Sequence, residues 1–133
     1  AFWRPEAPLA PGSEHRFAYS ITWTRDAPAP QARRAIVQSR SGREHDRPGA
    51  RRYVIDVTGP PEGLAPEISG PAMARIDGIS VFALPHGRVT RLTFLLVPGE
   101  IDVADLRVVL RDGSQPDAPV WLHRWTRARD GGV

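Results

Sequence analysis

Three aspartates, four histidines, a run of arginines and a pair of tryptophans are the residues with chemistry to offer. Splitting a glycosidic bond takes two carboxyl groups roughly 5 to 9.5 Å apart, one of them held protonated. Asp56, Asp102 and Asp105 are the candidates. Asp56 sits between Ile55 and Val57, with Arg52 four residues back, which points to a charge pair on the polar face of a strand. Asp102 and Asp105 lie in GEIDVAD, a turn in which Asp bonds its own backbone. No catalytic residue is therefore assigned. His15, His45, His86 and His123 form no His-x-His or His-x-x-x-His pair, and there is no Cys, so no metal site and no cofactor is expected.

Arg33, Arg34, Arg40, Arg43, Arg47, Arg51 and Arg52 fall within 20 residues, against only Glu44 and Asp46. Such a cluster suits an anionic surface, but net charge is only +3 and no nucleic-acid motif accompanies it. A solvated strand edge or a domain contact is the expectation, and no nucleic-acid partner. All 18 basic residues are Arg, with no Lys and no Asn. Codon usage in a GC-rich, bacterial genome accounts for that bias. In PVWLHRWTR, Trp121, His123 and Trp125 share one face. They suit the core of a sheet or an interdomain contact. A flat platform for sugar rings is the alternative.

The elements that must position these residues are strands. The 133 residues make one domain, with 41% hydrophobic and 25% charged residues. Twelve Gly and 14 Pro favour short elements over long helices, and no apolar run is long enough to span a membrane. In EHRFAYSITWT (14–24), Phe17, Tyr19, Ile21 and Trp23 alternate with polar or small residues. That predicts a first strand with those four side chains buried. Further strands are expected at 33–40, 51–59, 64–69, 73–84, 88–98, 104–113 and 119–127. In 88–98 and 104–113, Leu92, Phe94, Leu96, Leu106, Val108 and Leu110 should face inward. Seven or eight short strands with frequent turns imply an all-β antiparallel sandwich.

Several segments, in order, resemble the periplasmic glucans biosynthesis protein G and D family. AFWRPEAPLAPG resembles a joining segment between two domains of that family, and EHRFAYSITW its next strand. RRYVIDVTG is similar to a family motif carried here by Arg52, Val54, Ile55, Asp56 and Gly59, and ADLRVVL to one carried by Asp105, Leu106 and Arg107. PVWLHRW resembles the closing strand. Trp121 and Trp125 are kept there, while Pro119, Val120 and His123 replace the family's Glu, Thr and Tyr.

The resemblance implies an immunoglobulin-like sandwich at 13–127, a linker at 1–12 and a disordered tail at 128–133. It implies a secreted, periplasmic protein serving osmoregulated β-linked glucan synthesis. The glucan-handling cleft belongs to a preceding domain, so the chain is expected to be a piece of something longer and not itself an enzyme. Its partners would be that N-terminal domain and, through contacts drawn from Trp3, Arg52, Trp121, His123 and Trp125, β-glucan. A carbohydrate-binding module acting alone, or a module that contacts an envelope partner, are the other readings.

Overall fold

Alternation of apolar and polar residues sets each strand against one face of a sheet, and the structure, a computed structural model, shows two such sheets. It describes residues 8–25 and 33–131. The strands are β1 (Ile36–Arg43), β2 (Arg51–Thr58), β3 (Leu64–Ser69), β4 (Arg75–Ala83), β5 (Val89–Val97), β6 (Val103–Asp112), β7 (Gln115–Pro116) and β8 (Trp121–Thr126). One sheet has the order β1-β2-β5-β4. The other joins β3, β6 and the short β7, with β8 also on β6. All pairs are antiparallel. With β7 set aside, these are the A-B-E-D and C-F-G sheets of an immunoglobulin-like sandwich.

The core follows from register. Tyr53 faces Phe94, Ile55 faces Leu92 and Val57 faces Thr90 across the β2–β5 ladder, and all six are buried. The second sheet answers with Leu106, Val108 and Leu110 of β6 and with Trp125 of β8, which is 1% exposed. The inward set expected for β5 and β6 is thus buried as a whole. Gly78, at φ +58°, sits in a break of the β4–β5 register between Asp77 and Ser80. A Cβ there would already touch Leu95 Cδ1 at 3.6 Å, and an L side chain would be strained at that φ.

The amino-terminal expectation fails. Residues 14–24 pair with neither sheet, and Phe17, Tyr19, Ile21 and Trp23 are 59%, 82%, 66% and 91% exposed. Alternation made them look like a buried strand face, but it carries no information on whether a neighbouring strand is there to pair with. The paired structure begins at Ile36. β1 also runs to Arg43, three residues into the stretch expected as loop. At the other end, Arg127–Asp130 form a turn of helix, α1, where the sequence suggested the start of a tail. Phe2 and Trp3 lie outside the described residues.

The two classes of aromatic residue should respond oppositely to truncation. Trp125→Ala should cost about 3–5 kcal/mol in denaturant unfolding, as large buried aromatics do. Tyr19→Ala in the same chain should change stability by less than about 0.5 kcal/mol. Equal losses would contradict this division of the chain.

Candidate functional site

The inward direction of β8 is settled by its pairing with β6, which sets Trp121 against Val108, His123 against Leu106 and Trp125 against Ala104. Val120 and Leu122 point outward, at 44% and 70% exposure. Trp121 and His123 stack with ring centres 5.5 Å apart and planes 13° from parallel. Tyr53 meets both rings edge-on, at 5.7 and 5.1 Å, and lies against Phe94 at 5.2 Å. This is an aromatic cluster joining the two sheets. Trp125 is enclosed and has no face to offer a sugar ring; the guanidinium of Arg127 lies 6.0 Å from its ring centre.

Two polar atoms interrupt that cluster. Tyr53 Oη and His123 Nε2 are buried and make no hydrogen bond to described residues. Burial pushes the Tyr53 hydroxyl up to about 12 and moves the His123 imidazole below its ordinary value. Both residues border a small opening of about 100 Å³ between β1 and β8, together with Ser39, Ser41 and Trp121.

The carboxylates are held by arginines. Asp56 is 2% exposed and accepts Arg91 Nε and Nη2 at 2.7 and 2.8 Å, and Gln38 Nε2 at 3.1 Å. Arg91 chiefly holds its carboxyl below the usual range. Arg52 is not its partner, against the sequence expectation. Residues four apart on a strand stand roughly 13 Å apart, so pairing goes across strands instead. Arg52 Nε donates to Glu44 at 2.6 Å. Asp105 takes a two-pronged contact from Arg124 at 2.7 and 2.8 Å on the surface, and Asp102 meets Arg127 at 3.0 Å. These acids point to separate partners and share no apolar cleft. Among the described residues no three His, Asp or Glu side chains gather as metal ligands would. His45 and His86 are exposed, and His15 bonds Ser13 Oγ at 2.6 Å.

The arginine cluster likewise separates into pairs. Arg33 reaches Asp112, Arg40 reaches Asp56, Arg47 reaches Asp77 and Arg51 reaches Asp130. Arg34 is the one buried by the fold: its Nε donates to Asp117 at 2.5 Å and its Nη1 to Thr58 O at 3.1 Å. It thereby ties the chain entering β1 to the ends of β2 and β7. Gly59, at φ +90°, leaves room for this guanidinium, since a Cβ would lie 2.9 Å from Arg34 Nη1. Nothing in QPDAP signalled Asp117 as a buried partner.

A cavity of about 330 Å³ lies between the 43–51 segment and α1, over Trp125. Its charged lining is internally satisfied. Asp130 accepts Thr126 N at 3.0 Å and faces Arg51 at 3.8 Å and Arg129 at 2.7 Å. Arg129 first, then the Thr126 amide and Arg51, hold the Asp130 carboxyl down at about 2. Arg51 and Asp130 were missed from sequence because their contact joins a strand to the last helical turn, 79 residues on.

The fold defines an immunoglobulin-like sandwich domain in which these polar groups brace the structure. Against known families, the model for "Periplasmic glucan biosynthesis protein, MdoG" matches residues 1–125. The chain belongs to the periplasmic glucan biosynthesis protein family. It is 34% identical over 131 residues to Glucans biosynthesis protein G of Vibrio cholerae, covering 95% of this chain and 24% of that protein. The corresponding protein of Bradyrhizobium diazoefficiens is 32% identical, with 95% and 26% covered. Glucans biosynthesis protein G 1 of Shewanella oneidensis is 30% identical, with 95% and 24% covered. The chain thus spans about a quarter of the length of these relatives. No described helix is long and apolar enough to cross a membrane.

Asp130 yields a pH signature. Its folded value of about 2 lies below the ordinary 3.8, so the charged form is favoured by folding. That stability is fully present above pH 3.8 and disappears as pH falls through 2, amounting to about 2 kcal/mol at neutral pH. Asp130→Asn should lower unfolding stability by about 1–2 kcal/mol at pH 7 and by much less at pH 2. A loss that is the same at both pH values would show that the carboxylate's charge is not what braces α1.

Proposed function

We propose that this chain is the non-catalytic, immunoglobulin-like part of a periplasmic protein that serves osmoregulated β-glucan synthesis. It supports and orients a glucan-handling domain that precedes it. The observation that carries this reading is the match to the family along 95% of the chain but only about a quarter of each relative. The geometry fits a supporting role. The acids are pinned by arginines, Trp125 is enclosed, and the charged cavity lining is spent on internal contacts. General acid–base work on a glycosidic bond needs one carboxyl raised into the protonated state. Asp56, Asp105 and Asp130 are all moved the other way.

Incubated with linear β-1,2-glucan, the isolated chain should release no reducing ends, and the protein encoded by the reading frame extended upstream of Ala1 should carry the glucan chemistry. Turnover by the isolated chain, lost on Asp105→Asn, would overturn the proposal. So would an upstream frame that encodes no further domain.

A further inference from the structure

A row of exposed apolar side chains coincides with a strand-like alternation in the sequence. Tyr19, Ile21 and Trp23, at 82%, 66% and 91% exposure, alternate in the sequence with Ser20, Thr22 and Thr24. Large apolar side chains in such a row belong against a sheet face, and left in water they invite association.

Among the described residues the sandwich does not hold them. Its seven main strands already form both immunoglobulin-like sheets. The inner faces are filled by residues at 0–2% exposure, from Ile55 to Trp125. The opening on the β1/β8 side is about 100 Å³, too small for three or four large side chains. The larger cavity of about 330 Å³, over Trp125, is bordered by four charged residues, Arg43, Glu44, Arg51 and Asp130. The sequence between the segment and β1 includes Pro28 and Pro30, which disfavour a tight hairpin return onto the β1 edge.

We infer that residues 16–24 form a strand that adds to the edge of a β-sheet outside this sandwich, in the preceding part of the longer protein, with Tyr19, Ile21 and Trp23 on an apolar face there. This rests on the reading above that such a part exists. The relatives are about four times the length of the chain, so the family has ample structure to supply that sheet. The partner edge must offer unpaired backbone groups beside an apolar face, the usual terms of strand addition. The segment would then be an interdomain fastener, fixing the sandwich's position by main-chain hydrogen bonds and by three buried side chains.

Hydrogen–deuterium exchange tests this on the full-length protein and on the 133-residue chain side by side. Amides of residues 18–23 should exchange at unfolded-chain rates in the isolated chain and at least about 100-fold more slowly in the full-length protein. Ser20→Pro in the full-length protein should abolish that protection while the β2 and β5 amides keep theirs. Slow exchange in both proteins would mean that the sandwich itself holds the segment, and would overturn the inference. Fast exchange in both would also overturn it, without touching the glucan assignment. An upstream frame that lacks a further domain would instead sink the assignment itself. If Ser20→Pro does not fold, the comparison of the two unmodified proteins decides alone.

Discussion

The β2–β5 ladder is the constraint on which the rest of the molecule depends. Its register places Tyr53, Ile55 and Val57 directly opposite Phe94, Leu92 and Thr90, so one face of the first sheet becomes a continuous apolar floor. A slip by one residue would turn that floor to solvent and bring Val54, Asp56, Arg91 and Thr93 inward. The second sheet can close over it only because β6 and β8 alternate in the same sense, delivering Leu106, Val108, Leu110 and Trp125. The aromatic group of Tyr53, Phe94, Trp121 and His123 joins the two sheets by ring contacts.

Charge does a complementary job around this core. An Arg-only basic inventory lends itself to planar, two-pronged contacts with carboxylates, and Arg91–Asp56 and Arg124–Asp105 are both of that form. The first ties neighbouring strands within a sheet and the second ties β8 to β6. Arg34–Asp117 and Arg51–Asp130 join elements about 80 residues apart in sequence. Exposed pairs add little stability individually, but the buried Arg34–Asp117 contact would leave an uncompensated charge if either partner were removed. In the fold the arginine cluster of the sequence thus serves in ion pairs that brace neighbouring elements.

Much of this was legible in the sequence, for a definite reason. Period-two alternation in RVTRLTF and ADLRVVL reports a sheet face without any knowledge of the partner strand, so the inward residues of β5 and β6 could be named in advance. The same signal in residues 16–24 was equally strong, yet the segment lies outside both sheets, because alternation says nothing of where the neighbouring strand is. Cross-strand chemistry was opaque for the same cause. Asp56 was matched with Arg52 along its own strand, while its partner, Arg91, is 35 residues away and could be found only from register. The helical turn at 127–130 was hidden too, since four residues carry no periodicity and are held there by the Asp130 contacts.

The central claim is that the sandwich is complete from Arg33 onward and owes nothing to residues 8–25. Denaturant unfolding of residues 33–131 beside the whole 133-residue chain tests that most directly. The midpoint and the slope should agree for the two, because the slope follows the surface buried on folding and residues 8–25 bury little. A fragment less stable by more than about 1 kcal/mol, or with a clearly smaller slope, would show that the segment packs on the sandwich after all and would contradict the account.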